Sequence, residues 1–132
     1  MANVFRTSLR VRFSEIDLYG HVHHAEYLKY LEWARMEHLK QEDLSFVDLM
    51  DKGFYVVVVN ANLDFVSPAM YDEELVVSGY VNEVGTTSLS MIQEIEERET
   101  GRSVLRAEFT FVFLNRDREK VPVPKHLLEA LL

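Results

Sequence analysis

Residues 13–35 read FSEIDLYGHVHHAEYLKYLEWAR, a polar turn that runs straight into a helix. Asp17-Leu18-Tyr19-Gly20 has the residue types of a tight turn. From about residue 24 the period becomes helical. Tyr27, Tyr30, Leu31, Ala34, Arg35, His38 and Leu39 fall on one face at i, i+3, i+4 spacing. Glu26, Lys29, Glu32 and Glu37 are good helix formers placed mostly on its flanks. No Gly or Pro interrupts residues 21–52, so the spacing predicts about four helical turns and a shorter helix near Phe46–Lys52, stopped by Gly53. Upstream, Leu9, Val11 and Phe13 alternate with Ser8, Arg10 and Arg12, which predicts a half-buried strand reaching Phe13.

Downstream of the helices the sequence reads as four strands. Phe54–Val66 is β-branched and aromatic and stops at Ser67-Pro68. Leu75, Val77 and Val81 mark residues 74–84, and Gly85-Thr86-Thr87 turns the chain. Leu89, Met91 and Ile95 mark the next strand, reversed by Glu99-Thr100-Gly101. Leu105, Ala107, Phe109, Phe111 and Phe113 form the clearest alternation in the chain. Asn115–Lys120 is a polar turn, and Pro124 opens a short C-terminal helix. Strands joined by short turns imply one antiparallel sheet against one long helix, an α+β domain spanning residues 1–132. Val56, Val58, Val76 and Val112 are expected on the outer face of that sheet, where apolar surface favours oligomerisation.

Composition narrows the function classes. The net charge of −8 argues against nucleic-acid binding. Residues 1–100 hold 8 Lys+Arg and 18 Asp+Glu, residues 101–132 hold 6 and 4, so an anionic ligand is expected to prefer the C-terminal third. There are no cysteines, which excludes disulfides and thiolate metal sites and fits a cytoplasmic protein. No apolar run is long enough to span a membrane, and the first residues lack a signal-peptide core.

The chemistry-bearing residues cluster in the opening stretch. Asp17 is a candidate nucleophile or general base, or else a plain turn former. The backbone N–H groups of His23, His24 and Ala25 are expected to be free at the helix start, where they suit a developing oxyanion. A carboxylate and an oxyanion site within one turn of chain point to acyl transfer. His21, His23 and His24 have no standard metal-ligand spacing, so no metal or other cofactor is expected. His24 or His21 can instead act directly on the substrate, or pack the turn. Tyr27 is expected to border the acyl pocket with Tyr30 and Leu31. Asn60, Asn62 and Asp64 share one face of their strand, and Asn60 is a candidate for holding a substrate amide or bridging subunits.

The run D-x-x-G-H-V-x-x-x-x-Y-x-x-Y-x-E-x-A-R is carried by Asp17, Gly20, His21, Val22, Tyr27, Tyr30, Glu32, Ala34 and Arg35. It resembles the signature of hot-dog fold acyl-CoA thioesterases, similar to the 4-hydroxybenzoyl-CoA and Tol–Pal-associated groups. Asn62–Glu74 is similar to that family's second strand and following turn. The resemblance implies a long central helix wrapped by a five-stranded antiparallel sheet, with homodimers joined sheet edge to sheet edge or paired again as homotetramers. It implies an acyl-CoA substrate, with Asp17 attacking the thioester carbonyl or activating water and His24 at a catalytic position. Phe13 stands where the Tol–Pal-associated group has a tyrosine, and His23-His24 replaces a frequent Asn-Asn pair. Arg102, Arg116, Arg118 and Lys120 are candidates for the CoA phosphates by charge alone. An acyl-carrier-protein substrate, a hot-dog dehydratase and a non-catalytic binding module are the alternatives.

Overall fold

A computed structural model describes residues 3–132. Strand β1 (Phe5–Arg10) leads through a 3-10 turn (Phe13–Glu15) and the Asp17 turn to helix α1 (Glu26–Gln41). Helix α2 (Phe46–Asp51) follows, then β2 (Tyr55–Phe65), β3 (Glu74–Val84), β4 (Ser88–Glu97), β5 (Ser103–Leu114) and helix α3 (Lys125–Leu131). The strands form one antiparallel sheet in the order β1-β3-β4-β5-β2.

Helix α1 is 16 residues long, about 24 Å at 1.5 Å per residue. Its buried residues are Tyr27, Tyr30, Leu31, Ala34, His38 and Leu39, the face read from the sequence, with Arg35 half-buried beside them. They pack on Leu75, Val77, Met91, Ile95, Leu105, Phe109 and Phe111 of the sheet in one apolar core. Gln93 is fully buried under the helix, where its amide donates to Leu31 O at 3.1 Å and accepts from Arg35 Nη1 at 2.9 Å. That satisfies a polar side chain whose burial is otherwise costly. Ser45 caps α2 by accepting from Asp48 N–H at 3.1 Å.

Two expectations are corrected. The first strand ends at Arg10, and Phe13 is 79% exposed rather than buried on a strand. The cause is local: the Arg12 N–H, which a longer strand would give to a neighbour, donates instead to the Glu15 carboxylate at 2.8 Å and curls the chain. The second correction concerns the outer face. Val56 and Val58 lie opposite Phe113 and Phe111, on the helix side of the sheet. The register shifts between Val58 and Asn60, so Asn60 pairs with Thr110 and the alternation inverts. Asn60, Asn62 and Asp64 therefore share the outer face with Thr110, Glu108 and Arg106, whereas Ala61, Leu63 and Phe65 point inward.

Among the described residues β2 is an edge strand, paired only with β5. Val57, Val58, Val59 and Phe65 are exposed along it.

Candidate active site

Asp17 lies on a short hairpin that precedes α1. Its outer rung is His23 N–H donating to Glu15 O at 2.9 Å, its middle is an Ile16–Val22 bridge, and its inner rung is Asp17 N–H donating to His21 O at 2.8 Å. Gly20 closes the turn by donating to Asp17 O at 3.1 Å and has φ +82°, a conformation that favours glycine. The Asp17 carboxylate accepts from Tyr19 N–H at 2.9 Å and His21 N–H at 3.4 Å, both through Oδ1. Oδ2 makes no hydrogen bond among the described residues.

A cleft of about 360 Å³ opens beside this turn, lined by Asp17, His21, Val22, His24, Tyr27 and, from the end of β2 onward, Phe65–Pro68. Four of the five expected site residues thus share one cavity. Asn60 does not line it: it stands on the outer face of β2, accepting from Asn62 Nδ2 at 3.1 Å.

The helix start differs from expectation. The His23 N–H is taken by Glu15 O, and the Ala25 N–H donates to His23 Nδ1 at 3.1 Å. The His24 N–H donates to no group among the described residues, which leaves it as the free amide of the three. The His23 and His24 rings stack at 4.3 Å. Among the described residues no three of His, Cys, Asp or Glu gather as metal ligands.

Tyr27 is buried, and its hydroxyl accepts from Ala69 N–H at 3.1 Å, which fixes the segment after Pro68 to the helix. Burial holds its phenol above the ordinary value despite that hydrogen bond, so it is un-ionised at neutral pH. Phe65 packs on it at 5.8 Å. Arg102 braces the same wall: Nε donates to Ser67 Oγ at 3.2 Å, and Nη2 donates to Pro68 O at 3.2 Å and to Glu73 Oε1 at 2.8 Å. Its charge is therefore paired already. Arg116 donates to Asp51 O at 3.0 Å, and the Arg118 guanidinium lies 4.6 Å over the Tyr55 ring, at the far end of β2.

Sequence reasoning missed Glu15, whose carboxylate is buried. It accepts from Arg12 N–H, Nε–H and Nη2–H at 2.8, 3.2 and 3.0 Å and from the Tyr30 hydroxyl at 2.8 Å. Burial pushes its pKa up, but these hydrogen bonds and the Arg12 charge outweigh burial and hold it below the ordinary 4.5. A carboxyl depressed on folding stabilises the protein above its unfolded pKa and loses that contribution as pH falls through the folded value. Glu15→Gln should therefore lower the melting temperature at neutral pH but melt with a shallower acid dependence between about pH 5 and pH 3 than the parent. Thermal melts across that range check it. The R-x-x-E spacing of Arg12 and Glu15 was the available signal, and it is a weak one. Ser67-Pro68, read as the end of its strand, is a wall of the cleft.

Asp17 and His24 line one cavity beside a long helix packed on a five-stranded antiparallel sheet, the architecture of the hot-dog class. The profile of the thioesterase-like superfamily matches residues 11–131, and the chain belongs to that family of thioester hydrolases. It is 31% identical over 115 residues to the long-chain acyl-CoA thioesterase FadM of Escherichia coli K12, covering 87% of this chain and 86% of that protein. It is 31% identical over 96 residues to the acyl-CoA thioester hydrolase YbgC of Escherichia coli O6:H1, covering 73% and 72%. The crystal structure of a 1,4-dihydroxy-2-naphthoyl-CoA thioesterase from Synechocystis superposes with a TM-score of 0.91 over 97% of this chain and 95% of that one, at 24% identity. That last likeness is one of fold. No helix among the described residues is long and apolar enough to cross a membrane.

Proposed function

We propose that the protein hydrolyses an acyl-CoA thioester to a carboxylic acid and free CoA. The observation that carries this is the shared cleft of Asp17, with a carboxylate oxygen unbonded, and His24, with its N–H unpartnered. Asp17 attacks the thioester carbonyl or takes a proton from the water that does. The negative charge that develops on the carbonyl oxygen is met by the His24 N–H at the positive end of α1. The CoA thiolate then leaves and takes up a proton, and in the covalent form a water hydrolyses the acyl–Asp17 anhydride to the acid and the free carboxylate. Thioesters lack amide-like resonance, so a carboxylate and one oxyanion donor are a sufficient set. His21 and Tyr27 bound the acyl group, and Tyr27 does so as a neutral phenol.

A second copy of the chain completes the site in this proposal. The open edge of β2 with its exposed valines supports antiparallel pairing to a second β2. Pairing about the middle of the strand, at Asn60, makes Asn60 an interface residue. The strand is about 36 Å long at 3.3 Å per residue, so pairing brings the Tyr55 end of one copy to the Phe65 end of the other. Arg116 and Arg118 would thereby reach the mouth of the opposite Asp17 cleft, where CoA phosphates need cations. Arg116→Glu/Arg118→Glu should raise KM for an acyl-CoA about tenfold, or about 1.4 kcal/mol, and flatten its salt dependence. The same variant should leave KM unchanged for an N-acetylcysteamine thioester, which carries no phosphate. Equal effects on both substrates would remove the two arginines from phosphate binding.

The decisive experiment is a free-thiol release screen over acyl-CoAs of graded length, with benzoyl-CoA and phenylacetyl-CoA included and an acyl-carrier-protein thioester alongside. Turnover of one or more CoA esters is expected. A protein inert toward all of them, yet folded, would end the proposal. The net charge of −8 disfavours encounter with acidic carrier proteins.

A further inference from the structure

We propose that Glu15 is a positioning residue for the reaction: its side chain and its carbonyl together hold the Asp17 hairpin and the His24 amide in register with α1. The proposal rests on the assignment of Asp17 and His24 as reacting groups.

Glu15 joins three parts of the fold. Its carboxylate takes the Arg12 N–H and guanidinium, which end the β1 segment, and the Tyr30 hydroxyl, which belongs to α1. Its carbonyl accepts the His23 N–H and so forms the outer rung of the hairpin. Asp17 is two residues downstream of Glu15, and His24 follows His23 directly. Both reacting groups are therefore spaced from one clamped residue.

The ion pair is lopsided. The Arg12 side chain is 78% exposed, whereas that of Glu15 is 7% exposed. An exposed pair contributes little, but a buried carboxylate is tolerated only when its donors are in place. The donors at Glu15 are in place, and Tyr30 is the one that comes from the helix. Tyr30 in turn meets Tyr27 edge-on at 6.1 Å, and Tyr27 lines the cleft. Ile16 and Val22 anchor the base of the hairpin to the apolar core. Phe13, Leu18 and Tyr19, which flank Asp17, are among the most exposed apolar side chains of the protein, so the Glu15 carboxylate adds a directed polar tie to α1 that this packing does not supply. Loss of the tie lets the hairpin rock against α1, and a displacement of about 1 Å at a reacting group costs about 10²-fold in rate.

The test uses the purified full chain with decanoyl-CoA and 4-hydroxybenzoyl-CoA as probes and free-thiol release as the readout. Glu15→Gln keeps an acceptor for Tyr30 but loses the charge, and Tyr30→Phe removes the helix-side donor while keeping the ring. Each should lower kcat about tenfold and Glu15→Ala about 10²-fold, with KM within about twofold and the proteins still folded at the assay temperature. The Glu15→Gln/Tyr30→Phe double variant should fall clearly less than the product of the single losses, because both cut the same tie. Parent kcat in folded Glu15→Gln and Tyr30→Phe would overturn the proposal. So would an activity loss that only tracks the unfolded fraction, which marks a purely structural residue. Full activity in a parallel Asp17→Asn control would instead sink the site assignment itself, a result distinct from any behaviour of the Glu15 variants.

Discussion

Asp17→Asn should lower kcat for thioester hydrolysis by about 10³-fold or more, with KM and melting temperature close to those of the parent. Asparagine is the informative substitution here. The two turn hydrogen bonds to the carboxylate, from the Tyr19 and His21 amides, both end on Oδ1. An asparagine carbonyl oxygen can accept both, so the turn survives while the nucleophilic or basic oxygen is lost. Asp17→Ala removes the same chemistry but also strips those amides of their acceptor, at about 1–2 kcal/mol. Its kcat should match that of the asparagine variant, and its melting temperature should be lower. Near-parent hydrolysis by folded Asp17→Asn would take the carboxylate out of the reaction. Single-turnover hydrolysis in oxygen-18 water then tests for the covalent form of the mechanism. Heavy oxygen in the Asp17 carboxylate after the first turnover marks an acyl–Asp17 anhydride opened by water at the aspartyl carbon, because base catalysis places the label in the released acid alone.

His24→Pro should cost about 10²–10³-fold in kcat, the usual loss for one oxyanion donor, while His24→Ala should cost less than about tenfold. The contrast follows from which atom is free. The His23 and Ala25 amides are already bonded, and the His24 amide has no partner among the described residues. Proline deletes that N–H without breaking a hydrogen bond, at a position just before a helix where proline is tolerated. Alanine deletes the imidazole and keeps the N–H. A large loss in His24→Ala with a small one in His24→Pro would assign the work to the side chain. Circular dichroism spectra and melts of both variants show whether helix content and stability are kept.

The helix and its buried face were legible because an amphipathic helix repeats every three to four residues, and Tyr27, Tyr30, Leu31, Ala34, His38 and Leu39 obey that repeat without a break. β5 was legible for the matching reason, an alternation from Leu105 to Phe113. The candidate cleft was legible in part. Asp17, His21, His24 and Tyr27 are close in sequence across one turn and one helical start, so local geometry brings them together. Phe65, Ser67, Pro68 and Arg102 come from distant chain, and nothing in their spacing marks them. Asn60 was placed by chemistry alone, and the bulge beside it decided its face.

The sequence by itself determined the elements, their order and the turn that carries the carboxylate, because periodicity and a glycine with φ +82° are properties of a few neighbouring residues. Only the tertiary structure decided which strands lie side by side, which amide at the helix start stays free, and why Glu15 is buried. Each of those depends on a partner 8 to more than 40 residues away: the Glu15 carbonyl for His23, the Tyr30 hydroxyl for Glu15, and β5 rather than β3 as the neighbour of β2. A hydrogen bond is satisfied by whatever the fold brings within reach, and that is a fact about three-dimensional proximity that no local pattern encodes.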